Sequence, residues 1–152
     1  MSRESKIIQA YDFGVQTTIK HYESFGWELL TINGNQITMS RETQNPVYSD
    51  LVKLQSIYEE TLAAYNSLRS PIAPLKPARV SIKTLFVSFI CLVIPCAIYV
   101  TYKILQNKKY KEALAVHMQN MDAYINERQR LRNKMEEVAL QGYTTFFSQQ
   151  QK

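Results

Sequence analysis

Gly26-Trp-Glu-Leu-Leu-Thr-Ile-Asn-Gly-Asn-Gln-Ile-Thr-Met-Ser-Arg-Glu42 decides the fold of the N-terminal half. Trp27, Leu29 and, more loosely, Thr31 alternate with Glu28 and Leu30, and Ile37 and Met39 alternate with Thr38 and Ser40. A period of two marks strands with one buried face. Between the runs stands Asn33-Gly34, a strong short hairpin signal, because a type I′ turn needs positive φ at both central residues. Gly26 precedes the first strand and is placed to end a helix, where a left-handed residue is wanted. Trp27, Gly26, Leu29 and Ile37 are the expected structural core.

Upstream, Val15, Ile19, Tyr22 and Phe25 share one helical face. Before them, residues 6–13 read as a strand with Ile7, Gln9, Tyr11 and Phe13 on one side. The spacing of Ile7, Tyr11, Val15 and Ile19 would also extend the helix, but Gly14 disfavours that by about 1 kcal/mol. The order of helix, Gly-Trp-Glu-Leu, hairpin and closing Ser-Arg-Glu over Ile7 to Glu42 resembles small bacterial GWEL-type domains of unknown function. That resemblance implies a compact α+β unit and no particular chemistry. Downstream, Asn45 can cap a second helix and Pro46 suits its first turn. Val47, Leu51, Leu54, Tyr58, Thr61 or Leu62, Tyr65 and Leu68 form its stripe. Residues 1–70 are thus expected as one small (β)αββα module.

Three prolines in Ser70-Pro-Ile-Ala-Pro-Leu-Lys-Pro77 make residues 71–83 a semi-rigid, basic tether. It leads into Thr84-Leu-Phe-Val-Ser-Phe-Ile-Cys-Leu-Val-Ile-Pro-Cys-Ala-Ile-Tyr-Val-Thr-Tyr102, which carries no charge. A helix of that length reaches about 28 Å, close to the hydrocarbon thickness of a bilayer. Residues 84–105 therefore read as a single transmembrane helix, kinked at Pro95, with Tyr99 and Tyr102 at one interface. Lys76, Arg79, Lys83 and Lys103 are the expected lipid-headgroup contacts. The expected location is the cell membrane, single-pass. The flanks tie at four Lys/Arg each, so flank charge leaves the orientation open. The chain opens Met-Ser-Arg-Glu-Ser-Lys with no signal peptide, which favours a cytoplasmic N-terminal module. A re-entrant hairpin at Pro95 would instead leave both ends cytoplasmic. Cys91 and Cys96 read as small apolar residues rather than a disulfide.

Residues 106–141 are rich in helix formers. Tyr110, Leu114, Met118 or His117, Met121, Tyr124 or Ile125, Leu131, Met135 and Val138 form a stripe that Arg128 and Arg132 interrupt. A weak coiled coil, giving a weak homo-oligomer, and a helix lying on a partner fit equally. Gly142 is expected to stop this helix and leave 142–152 as a flexible tail.

The formal net charge of +5 gathers around the apolar run, with residues 1–70 at six Lys/Arg against eight Asp/Glu. That distribution argues for anionic lipid over nucleic acid. Four glycines hold no phosphate-binding loop, and there is no His-Glu-x-x-His, Cys-x-x-Cys or Gly-x-Ser-x-Gly. His21 and His117 read as surface or seam histidines. Glu59-Glu60 and Glu136-Glu137 read as solvated faces. No catalytic, metal or cofactor residues are assigned, and an enzyme is not expected. The leading expectation is an interaction module tethered to the membrane that positions an unknown protein partner. The alternative is a membrane-anchored sensor for a small ligand, signalling through the kinked span. A solidly packed module with Trp27 buried favours the first, and a cavity with converging polar groups the second.

Overall fold

A computed structural model describes residues 2–10, 13–78 and 93–150. The elements are β1 (Arg3–Gln9), α1 (Gly14–Glu23), β2 (Glu28–Asn33), β3 (Gln36–Glu42), α2 (Tyr48–Ser67) and α3 (Val93–Gln150). They divide into two compact units, one of residues 1–68 with 128–152 and one of residues 69–127.

The first unit is α+β. Its sheet has the order β1-β3-β2, with both pairings antiparallel. The register sets Glu4 against Arg41, Lys6 against Met39 and Ile8 against Ile37, so these side chains share the inner face. The strand reading of the N-terminus is observed, but its inner face is Ile8 and Ala10, while Ile7 points out and is exposed. Asn33 pairs with Gln36, which leaves Gly34-Asn35 as the two-residue turn. Gly34 has φ +60° and no non-glycine residue has positive φ among the described residues. That is the pattern of a type II′ turn, with glycine first, rather than the expected type I′.

α1 ends in a Schellman motif. Gly26 N–H donates to Glu23 O (2.9 Å), Trp27 N–H donates to Tyr22 O (3.2 Å), and Gly26 has φ +81°. This turn seats Phe25 and Trp27 in the core. At the start of α2, the Asn45 carboxamide accepts the Val47 N–H at 3.0 Å. Leu51, Gln55, Tyr58, Thr61 and Tyr65 form the buried stripe of α2.

The core is completed from far along the chain. Met135, Val138 and Ala139 of α3 are buried with Ile19, Tyr22, Phe25, Ile37, Met39 and Tyr58. Gly142 lies inside α3 and does not stop it. A Cβ there would sit 2.7 and 2.8 Å from ring carbons of Phe25 and 2.9 Å from Ser24 O, so only glycine permits this approach. The helix continues to Gln150, over the described part of the segment expected to be a flexible tail. Arg128 and Arg132, read as interruptions of a seam, lie over the Tyr65 and Phe13 rings at 4.7 and 5.9 Å.

In the second unit, the segment expected to be a tether lies along α3. Ser70 Oγ reaches Met121 Sδ (4.0 Å), and Lys103 Nζ donates to Ala78 O (3.2 Å). Eight residues at the polyproline rise cover about 25 Å, and the helix from 103 to 121 covers about 27 Å. Pro71, Pro74 and Pro77 repeat every three residues and are half-buried, whereas Ile72 and Leu75 are 94% and 96% exposed. A polyproline helix has three residues per turn, so the prolines form one face. Leu114 and Met121 of the expected pairing stripe are thus half-buried within this unit and Met135 is buried in the first, while Met118 and Ile125 are exposed.

The single-pass membrane architecture, with the cell-membrane location drawn from it, is corrected. Among the described residues no helix is long and apolar enough to cross a membrane. α3 is described from Val93 onward, and ten of its described residues precede Lys103. Residues 79–92, including Arg79, Lys83 and the first part of the expected span, lie outside the described residues.

Two outcomes are expected. Gly142→Ala should lower the denaturant midpoint: overpacking against Phe25 costs about 1–3 kcal/mol, more than the roughly 1 kcal/mol gained in helix propensity. A raised midpoint would mean that α3 does not pack there. A fragment of residues 1–70 should show no cooperative melt, because it lacks Met135, Val138 and Ala139; a sharp two-state transition would refute this division of the core.

Candidate functional site

Trp27 is the hinge between the core and a surface groove. It is buried, and its indole N–H donates to Gln55 Oε1 at 2.9 Å. Gln55 Nε2 in turn donates to Glu59 Oε1 at 2.7 Å. The same carboxylate accepts the Tyr22 hydroxyl (3.1 Å) and pairs with Lys6. Burial alone would raise the Glu59 pKa. The hydrogen bonds from Lys6, Gln55 and Tyr22, with the Lys6 charge, outweigh burial and hold the carboxyl below its ordinary value. Burial and the Glu59 charge push the Tyr22 and Tyr58 phenols well above their usual range. His21, read as a surface residue, is half-buried, and its Nδ1 shares a 2.8 Å hydrogen bond with the Tyr58 hydroxyl. Burial lowers its pKa, with Glu136 acting against the shift and Arg132 with it.

On the other side of Trp27, Arg41 is held from four directions. Its guanidinium lies 4.5 Å from the Trp27 ring and 4.9 Å from the Tyr48 ring. Nε donates to Glu4 Oε1 at 2.7 Å, and Nη1 donates to Phe25 O at 3.2 Å. Tyr48 OH donates to the other Glu4 oxygen at 3.2 Å. The Arg41 side chain is almost fully buried, so this pair ties β3 to β1, and its bond to Phe25 O holds the turn before β2, rather than offering a charge to a ligand.

The groove itself is about 520 Å³ and is lined by Lys20, Glu23, Ser24, Gly26, Trp27, Glu28, Tyr143, Phe146 and Phe147. The Tyr143 and Phe147 rings are 4.3 Å apart between centroids, and Phe146 meets Phe147 edge-on at 5.3 Å. Tyr143 and Phe147 are exposed. Gly26 completes the floor: a Cβ there would meet Phe146 at 3.2 Å and Leu51 at 3.4 Å. The lining holds neither histidine nor cysteine among the described residues, and Ser24 Oγ is engaged by the His21 carbonyl at 2.6 Å. Among the described residues no cluster of His, Cys, Asp and Glu could hold a metal ion. The lining combines the aromatic rings with three charged side chains, Lys20, Glu23 and Glu28.

Of the residues expected in the core, Trp27 and Ile37 are buried and Gly26 is half-buried. Leu29 is corrected: it pairs with Met39 but is 39% exposed, because β2 is an edge strand. Lys76 and Lys103, expected at lipid headgroups, line one groove of the second unit with Tyr110 and Lys111. Tyr143, Phe146 and Phe147 were missed as site residues because Gly142 was read as a helix stop; their i, i+3 and i+4 spacing was the available signal. Comparison with known protein families, curated proteins and solved structures finds no match.

The folded pKa of Glu59 lies below its ordinary 4.5 and that of His21 below 6.5. In both cases the unfolded chain takes up the proton first as pH falls. The unfolding free energy should therefore decline below pH 6.5 and decline further below 4.5, each loss ending once pH has passed the folded pKa. Glu59→Gln should flatten the lower limb only, measured by urea unfolding across pH. An unchanged lower limb would show that the carboxylate is not held by its three donors.

Proposed function

We propose that the protein is a docking module that binds an apolar or aromatic anchor of a partner protein in the groove between the start of β2 and the end of α3. The observation that carries this reading is the exposed Tyr143–Phe147 pair beside a Trp27 whose own polar atom is already satisfied. The groove volume lies within the range of small binding sites, about 300–1,000 Å³. Aromatic side chains give large contact area with few rotatable bonds, which suits them to anchoring a partner. The filled core beneath, with Trp27 buried, favours a docking surface over an enclosed ligand cavity. Lys20, Glu23 and Glu28 in the lining set the polarity that a partner segment meets.

Trp27 is the chain's sole tryptophan, so its fluorescence reports occupancy of the groove. Peptides selected from a random displayed library against the full chain should carry an aromatic or aliphatic anchor and shift the Trp27 emission. Phe147→Ala should weaken them about tenfold or more, the loss of a typical anchor contact. Peptides that leave the emission unchanged, or that bind Phe147→Ala equally well, would refute the site.

A further inference from the structure

The sheet has two edges, and they differ in chemistry. β1 carries Arg3, Glu4 and Lys6 along its length, the kind of charge that discourages pairing with another chain. β2 carries a single charge, Glu28, which is already paired with Arg3. All six β2 residues are exposed, and three of them are Leu29, Leu30 and Ile32.

The register shows what would cover this edge. Leu29 stands opposite Met39 and Ile32 opposite Ile37, so both face the inner side of the sheet. Three residues apart on a regular strand they would face opposite sides. The irregularity at Leu30 brings them together. Glu28, opposite Ser40, and Asn33, opposite Gln36, share the outer side. The strand is therefore self-complementary under a twofold axis between Leu30 and Thr31. Turned on itself antiparallel, it sets Leu29 against Ile32 of the second copy and Glu28 against Asn33 of the second copy. Each facing pair lies on one side of the sheet, and like charges do not meet.

We infer that β2 is a self-pairing edge: two copies join β2 to β2, antiparallel, into a six-stranded sheet. The twofold contact is isologous and closes on itself, so it gives a dimer and not a fibre. Four apolar side chains, Leu29 and Ile32 from each copy, form its inner face. The inference does not depend on the occupant of the aromatic groove.

Cysteine crosslinking in the full chain tests it, in a background carrying Cys91→Ser and Cys96→Ser. Directly facing residues of an antiparallel pair have Cα atoms about 4.5–5.5 Å apart, within disulfide range. Within one strand, positions 29 and 32 are about 10 Å apart, beyond that range. Leu29→Cys combined with Ile32→Cys should therefore give a covalent dimer under mild oxidation. Either substitution alone should not, because neither residue faces its own copy. Ile7→Cys, exposed on the other edge, should stay monomeric. A tryptophan emission like that of the parent chain would show that each variant is folded. A folded double variant that stays monomeric, or single variants and Ile7→Cys that crosslink as readily, would overturn the inference.

Discussion

The first unit depends on the approach of Phe25 to the backbone of α3 at Gly142. Phe25 is fully buried, and the Schellman turn that follows α1 fixes where it points. Three short strands and two helices from residues 1–68 leave the inner side incompletely covered, and α3 supplies Met135, Val138 and Ala139. The chain between these parts is 59 residues long, from Arg69 to Glu127. Closing a flexible loop of that size costs about 3–4 kcal/mol beyond a constant. The intervening residues form a unit of their own, with a proline-faced strap on α3, and are not a free loop. A small sheet thus obtains a full core by recruiting a helix from the far end of the chain.

Local chemistry was readable in residues 26–42. The helix-ending glycine, the buried tryptophan and the hairpin follow from residue types whose backbone demands are strong. The turn type was misjudged because Asn33 and Gly34 invite the I′ assignment, whereas the pairing of Asn33 with Gln36 moves the turn one residue on. Thr31, expected on the side of Leu29, lies opposite Thr38 on the outer side because alternation assumes an uninterrupted ladder and one irregular residue reverses the sides beyond it; Leu29 keeps the inner side but is exposed on an edge strand. The destination of α3 was not legible at all. A stripe such as Leu114, Met121 and Met135 has the same spacing whether it meets a copy, a strap or a core. Gly142 looked like a helix stop on propensity, and only the distance to Phe25 reveals its other use. The apolar run was legible only as composition, and among the described residues no helix is long and apolar enough to cross a membrane.

The two units differ in charge as well as architecture. The first holds ten Lys/Arg and ten Asp/Glu, and the second holds eight against three, so the second carries all of the net +5. Long-range attraction of an acidic partner is therefore a property of the second unit. The aromatic groove sits on a unit without net charge. Its lining carries the local charges of Lys20, Glu23 and Glu28.

The edge strand β2 completes this picture from the side of stability. Leu29, Leu30 and Ile32 are exposed, so the isolated chain gains little from their being apolar. Polar β-branched residues would serve the ladder equally well, as Thr31 and Thr38 do at the neighbouring positions. A lone chain with an apolar, lightly charged edge is prone to unwanted pairing, and proteins ordinarily guard against that, as β1 does. An unguarded edge beside a guarded one is accounted for when the first is a joint. The irregularity at Leu30 then has a purpose that the single sheet does not require: it places two apolar side chains on one side, where a twofold copy can meet them.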